Sequence, residues 1–487
     1  MTFSRAFRAA LAASVFVGAP QAAFASERDD ARIADLQRQV DELRAIVRTL
    51  QAERAPAGMA AATPAATPLA PAASSAAAAP VQLAAAPATV PAPVAASAKP
   101  AAPKKAWYEK LQLRGYTQLR LNEIVSGPKN AASGLARIRS VQDSGINDTG
   151  NFSIRRARLV VQGDLSDRVS LYLQGDFAGA VNNQSANEPR QNFFQLRDAY
   201  ADLYLDKHKT LKVRLGQSKV PFGWENLQSS SNRLPLDRTD AINAPVPGER
   251  DLGVVAYYTP PSIQKIWDEL SHDGQKLFGN YGAFGVGVFN GQGTNRVEKT
   301  EGLMTVAMAT MPFRLDGLGD AFKGQVAEIG VYGLKNKFRP EIRAGGVSTE
   351  SYQDDHIGFH AMLYPRPIGF QAEWTWGKGP QWDSATSTIR SSRSTGGYVM
   401  ALGRIKESPI GQIMPFARWQ HYRGGWKVSV NAPRLETDEY ELGVEWLPLK
   451  ELEFTFSWAN VNRAEADERR TGRAKGDILR TQVQWNY

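Results

Sequence analysis

From Trp107 to Tyr487 the dominant hydrophobic period is two, and this alternation constrains the fold more than any other feature of the chain. Leu111, Leu113, Thr117, Leu119 and Leu121 share one face of a first strand; Gln112, Arg114, Tyr116, Gln118, Arg120 and Asn122 share the other. Val169, Leu171, Leu173 and Phe177 oppose Ser170, Tyr172, Gln174 and Asp176, and Ala199, Ala201, Leu203 and Leu205 oppose Asp198, Tyr200, Asp202 and Tyr204. A soluble sandwich also alternates, with its apolar face turned inward. Here the polar face is rich in Arg, Asp, Gln and Tyr, and the strands run to about ten residues, which suits lipid outside and water inside.

Sixteen candidate strands begin near 111, 152, 168, 194, 211, 251, 281, 302, 325, 356, 368, 397, 413, 438, 452 and 478. Joins at Leu165–Arg168, Asp206–Thr210, Pro365–Pro367, Ile405–Gln412 and Leu447–Glu451 are short. Those at 123–150, 178–192, 217–250, 333–355, 377–395, 423–437 and 460–476 are long. Alternating short turns and long loops, with an even strand count, predict an all-β, 16-stranded antiparallel transmembrane β-barrel. One join disagrees: 259–280 should be short but is long, with a helix-like stretch Ile263–Leu270, so either a small periplasmic helix lies there or the strand count is wrong. The last strand alternates Leu479, Thr481, Val483, Trp485 and Tyr487 with Arg480, Gln482, Gln484 and Asn486. Trp374, Trp376, Trp419, Trp446 and Trp458 lie near strand ends, as interfacial girdles require.

The segments before the barrel read differently. Residues 1–25 have the form of a secretory signal peptide, with Arg5 and Arg8, an apolar run Ala9–Ala19 and Ala23-Phe24-Ala25 before Ser26. Residues 26–54 carry a short heptad, Ile33, Leu36, Val40, Leu43, Val47 and Leu50, which reads as a coiled-coil helix for oligomerisation or as a single amphipathic helix. Residues 55–106 are an Ala/Pro-rich linker, and 107–487 the barrel. No later stretch holds eighteen unbroken apolar residues, so no helical membrane span is expected. Zero cysteines exclude disulfides and thiolate metal sites. The mean hydropathy of −0.37 is too polar for a bundle of membrane helices, and the formal charge of +9 is mild for 487 residues, a weak pointer to an anionic partner.

Longer motifs carry a family resemblance. The runs Ile154-Arg155-Arg156-Ala157-Arg158-Leu159, Val213-Arg214-Leu215-Gly216-Gln217-Ser218-Lys219-Val220-Pro221-Phe222-Gly223 followed by Glu225, and Phe289-Asn290-Gly291-Gln292-Gly293 resemble the phosphate-selective porin O/P family over most of 107–487. The resemblance implies a sixteen-stranded, homotrimeric outer-membrane porin of a Gram-negative bacterium, in some members with an N-terminal helical extension. It does not imply phosphate selectivity. In this setting the N-terminal helix and linker are expected in the periplasm.

Parity turns Arg114, Arg120, Arg156, Arg158, Lys212 and Arg214 inward as channel-lining, anion-binding candidates, because Arg forks and Lys ammonium groups attract phosphate-like oxyanions. The third long loop, 217–250, is the expected constriction; it carries Lys219, Arg233, Arg238 and Arg250, with Glu225, Asp237, Asp240 and Glu249, and is stiffened by Pro221, Pro235, Pro245 and Pro247. An external loop bridging neighbouring protomers is the other reading. Arg155 has the wrong parity and calls for a rim position or a bulge. Expected partners are small anionic solutes and outer-membrane lipid, with no nucleic acid, cofactor or metal.

The alternative is a general porin without phosphate specificity, in which Asp176, Asp198 and Asp202 complete a transverse field. An outer-membrane hydrolase or a structural tether fits less well. None of His208, His272, His356, His360 and His421 sits in a catalytic motif. His356 and His360, four strand residues apart, are too distant to chelate one ion. Gly291-Gln292-Gly293 lacks the third glycine of a dinucleotide loop.

Overall fold

The computed structural model describes residues 106–128, 138, 143, 145, 146, 150–179 and 192–487, together with Arg38, Asp41 and Ala45. The chain divides into two units, 1–98 and 99–487. In the first, Arg38, Asp41 and Ala45 are helical; the signal-peptide segment, the heptad positions Ile33 to Leu50 and the Ala/Pro-rich segment to Lys105 lie outside the described residues.

The second unit is a closed antiparallel barrel of sixteen strands. Its first half comprises β1 (Leu111–Ser126), β2 (Phe152–Asp164), β3 (Val169–Gly179), β4 (Phe193–Tyr204), β5 (Leu211–Lys219), β6 (Arg250–Tyr258), β7 (Phe284–Phe289) and β8 (Met304–Arg314). After β9 (Val326–Lys335), a two-residue-per-strand hairpin of β10 (Lys337–Phe338) and β11 (Tyr352–Gln353) stands apart from the barrel. The wall resumes with β12 (Asp355–Leu363), β13 (Ile368–Asp383), β14 (Thr388–Gly403), β15 (Gln412–Gly425) and β16 (Arg434–Leu449). It ends with β17 (Leu452–Ala466) and β18 (Arg473–Asn486). β18 pairs with β1, Leu121 opposite Thr481, and no edge is left open. At the seam Gly115 and Tyr487 exchange backbone hydrogen bonds at 2.6 and 3.0 Å. A Cβ at Gly115 would meet the Tyr487 ring at 2.4 Å, so only glycine admits this aromatic.

The burial pattern inverts that of a soluble protein. Outward side chains such as Val286, Val331, Ile357 and Ile368 are exposed, whereas Arg120, Arg214, Arg250, Arg463 and Glu328 are almost wholly buried inside. An apolar belt stable in lipid explains the first set. Segments folded into the lumen explain the second.

Two sequence expectations need correction. The twelfth strand starts at Thr388, not near 397, and 377–395 is not a long loop. β13 and β14 are sixteen residues each and stay paired up to Asp383↔Thr388. Above the apolar belt both faces meet water, so the residues turn polar (Ser391, Ser392, Arg393) while the backbone ladder continues. For the same reason the connections near 423–437 and 460–476 shrink to 426–433 and 467–472. The discordant join resolves in favour of a helix. Three helices, α1 (Trp224–Leu227), α2 (Asp240–Asn243) and α3 (Pro261–His272), lie in barrel connections, and α3 occupies the periplasmic join that should have been short. The sixteen-strand count stands.

Candidate functional site: the barrel lumen

Inward parity converts directly into a charged wall. Arg114 is the most open of the basic side chains, donating to Gln162 at 3.1 Å with its guanidinium 5.9 Å from the Tyr172 ring. Arg158 pairs with Asp176 at 2.7 Å and donates to Tyr116 and Ser230. Arg214 grips both oxygens of Asp202 at 2.7 and 2.8 Å and covers the Tyr200 ring at 3.8 Å. Lys212 reaches the same Asp202 at 3.1 Å. Arg156 donates to Gln118 at 2.8 Å. Arg120 is fully buried, between Asp143 at 2.6 Å and Asp237 at 3.2 Å.

Residues 220–249 fold into this lumen. Almost every residue of the segment is buried. Gly223 takes φ +86, a conformation that disfavours side chains, and turns the chain so that Trp224 and Glu225 donate their backbone N–H groups to Glu373 at 2.5 and 3.1 Å. Lys219 then folds its ammonium onto the carbonyls of Asn226, Leu227 and Gln228 at 2.9, 3.3 and 2.7 Å, and onto Glu249 at 2.8 Å. Thus the Ser218-Lys219-Val220-Pro221-Phe222-Gly223 run builds the loop, and Lys219 spends its hydrogen bonds on doing so. Arg250 pairs with Asp198 and Glu249, both at 2.9 Å, and Arg238 pairs with Glu249. Farther along, Asp240 meets Arg463 at 3.1 Å and Asp237's carbonyl accepts from Arg418 at 2.9 Å.

Arg155 shows how the wrong parity is used. The β1–β2 register slips between Gln118 and Leu119, leaving Arg155 as the extra residue of a bulge. The bulge turns it inward, 3.7 Å from Asp143 and 3.4 Å from Asp237. Arg480 completes the cluster at 2.9 Å from Asp143, beside Asp237. Burial alone would raise Asp237's pKa, but Arg120, Arg480 and Arg155 hold it well below the usual carboxylate range. Asp143 is likewise lowered to about 2, burial opposing and Arg120 the strongest attraction. Arg233 differs from the rest: its three guanidinium nitrogens have no hydrogen-bond partner among the described residues. Burial pushes its pKa down to about 10 against the pull of Glu225 and Asp237.

Sequence reasoning missed Arg418, Arg463 and Arg480 as wall residues. All three are inward by the same parity and could have been read from it; Arg418 pairs with Glu441 at 2.7 Å and Arg463 with Glu439 at 3.2 Å. The histidines are pinned separately, His356 to Asp354 at 2.9 Å and His360 to Thr310 at 3.0 Å. Among the described residues no group of three His, Cys, Asp or Glu is placed to hold a metal ion.

Inside the barrel lies a cavity of about 790 Å³ against β1–β5. Six basic side chains line it, Lys110, Arg114, Arg158, Arg214, Lys219 and Arg250, against three acidic ones, Asp164, Asp198 and Asp202. Tyr172 and Tyr200 stack in its wall at 5.0 Å and 9°.

A closed barrel with a polar, loop-narrowed interior is a channel architecture, and the family model of phosphate-selective porin O and P matches residues 130–487. The chain belongs to the phosphate-selective porin O and P family. As a porin it is an outer-membrane channel of a Gram-negative bacterium. In overall structure this porin is similar to the outer membrane channel DcaP of Acinetobacter baumannii, at 15% identity over 77% of this chain and 97% of that one, with a TM-score of 0.44. It is also similar to OmpF of Salmonella typhi in complex with daunomycin, at 11% identity over 78% and 98% of the two chains (TM-score 0.49). An anion-selective porin from Comamonas acidovorans matches at 11% identity over 77% and 99%, with a TM-score of 0.39. No curated protein sequence matches the porin.

Proposed function

We propose that this porin forms a water-filled, anion-preferring channel through which phosphate or similar small oxyanions diffuse passively. The observation that carries the reading is the six-to-three excess of basic over acidic side chains around the lumen cavity. In a narrow aqueous path with low-dielectric walls such an excess attracts anions, and several moderate sites let an ion both enter and leave. Arg114, Arg120, Arg156, Arg158, Lys212 and Arg214 act as the basic wall, and Lys219, Arg233, Arg238 and Arg250 as the basic side chains of the constriction loop. The working form is a homotrimer, as the family implies. Residues 1–25 direct export, and 26–54 and 55–106 stand in the periplasm as a helix and spacer before the barrel at 107–487.

A general porin is the second reading, favoured by the pairing of Arg158, Arg214 and Arg250 with Asp176, Asp202 and Asp198. Planar-bilayer recording separates the two. Millimolar phosphate added to a chloride solution should block chloride current if a phosphate site exists; chloride current unchanged by phosphate leaves the general porin.

A further inference from the structure

The join that broke the turn pattern does not stay at the periplasmic rim. Residues 259–283, between β6 and β7, turn back into the barrel. Pro261 opens α3 at a position where a missing N–H costs nothing, and Ile263, Trp267 and Leu270 fall on one face of the helix and are buried. Trp267 donates its indole N–H to Glu328 of β9 at 2.9 Å. Past the helix, Asp273 pairs with Arg404 at 2.6 Å and Lys406 at 2.8 Å, beyond the end of β14. Lys276 then crosses to β16 and β17, 2.7 Å from Glu445 and 3.6 Å from Glu453. Asn280 returns to β5, its backbone carbonyl accepting from Lys212 at 3.0 Å and from Arg214 at 3.3 Å. One segment is therefore anchored to walls on separate sides of the ring.

This strap meets the loop that enters from the other end. Phe278 packs edge-on against Trp267 at 5.3 Å and lies 6.0 Å from Trp224 of α1, and Gln228 donates to the Lys276 carbonyl at 3.3 Å. On the β12–β15 side of the junction a gap of about 20 Å³ lies among Gln371, Met400 and Met414, close to the volume of a single water. On the β1–β5 side it is about 790 Å³.

We propose that residues 259–283 form a second constriction, held in place by Lys276, that seals the β12–β17 side of the lumen and confines permeating solute to the β1–β6 wall. Lys276 is a positioning residue: it acts by fixing the strap, and the strap decides which side chains a solute meets. Solute passing the constriction loop is thereby delivered onto the arginine and tyrosine face of β1–β5. The proposal rests on membership of the porin family and not on anion preference.

The chain has no cysteine, so an engineered thiol is unique. Ser170→Cys places one on the open side and Gln371→Cys one on the sealed side, each near the periplasmic end of its strand. Reaction with a small methanethiosulfonate, followed by mass spectrometry of the folded porin, should be at least about tenfold slower at Gln371→Cys. Adding Lys276→Met should remove that difference and raise single-channel conductance, and Lys276→Arg should restore both. Equal rates at the two thiols with Lys276 intact would overturn the proposal, whatever the variants do. So would a folded Lys276→Met porin with conductance and Gln371→Cys reactivity unchanged.

Discussion

Arg120 on β1 donates to both carboxylate oxygens of Asp237 at 3.2 Å, across 117 residues of sequence and with neither side chain more than 4% exposed. Arg155 and Arg480 converge on the same carboxylate. Asp237 is thus the point at which the re-entrant loop is locked to the seam between β18, β1 and β2. Removing one partner of a buried pair leaves an uncompensated charge, at a cost of about 3–5 kcal/mol. Asp237→Ala should release the loop from this wall, raise open-channel noise and expose 220–249 to protease. Quiet channels and an uncut loop would show that Asp240 and Glu225 suffice as anchors.

The lock has a defined response to acid. Burial raises Asp143's pKa, but Arg120, Arg155 and Arg480 together more than offset it and hold the value at about 2, below the ordinary 3.8. A carboxylate whose folded value is depressed contributes stability that is present above the ordinary value and lost as pH falls through the folded one. Conductance and thermal midpoint attributable to the Asp143–Arg120 contact should hold from pH 7 to pH 4 and fail only near pH 2–3. Titrating single-channel noise with pH checks this, and Asp143→Asn should show the failed state already at pH 7.

Arg214 is the cation of the cavity most tightly tied to one acid. Arg214→Gln removes two bonds to Asp202 and leaves that carboxylate to Lys212 alone. The local field then turns toward negative, so anion preference should fall while the barrel stays folded. The paired change, Asp202→Asn, should move it the opposite way. Reversal potentials of the two variants, measured side by side, test the sign.

The Phe289-Asn290-Gly291-Gln292-Gly293 motif has a structural job. Asp251 accepts from the backbone N–H groups of Gly291, Gly293 and Leu252 at 2.7, 3.2 and 2.8 Å, and Gly291 and Gly293 take φ +109 and +94. Asp251→Ala leaves these donors unmet at about 1–3 kcal/mol for a buried one. The expected result is a lower unfolding temperature in heat-modifiable gel migration with selectivity unaltered.

Period two was enough to find sixteen strands and, for most of them, their starting points, because a lipid-facing side chain and a lumen-facing one must alternate wherever the wall spans the membrane. It failed where that pressure stops: β13 and β14 run on above the belt with polar residues on both faces and so read as loop. Parity also placed Arg114, Arg120, Arg156, Arg158, Lys212 and Arg214 on the inner wall, and left Arg155 either a rim position or a bulge, of which the structure takes the bulge. It said nothing of partners. Arg120's acids come from two different loops, and Lys276 finds Glu445 169 residues away. Such pairings depend on strand register and on how far each loop re-enters, which no local pattern encodes. The long join at 259–280 was visible as an anomaly; its direction into the lumen was not.

The proposed anion preference of this porin comes from the wall of β1–β5. A reversal potential in a KCl gradient across a planar bilayer reads it directly. An anion-preferring wall displaces the potential toward the chloride equilibrium value; a potential displaced toward that of potassium would contradict anion preference.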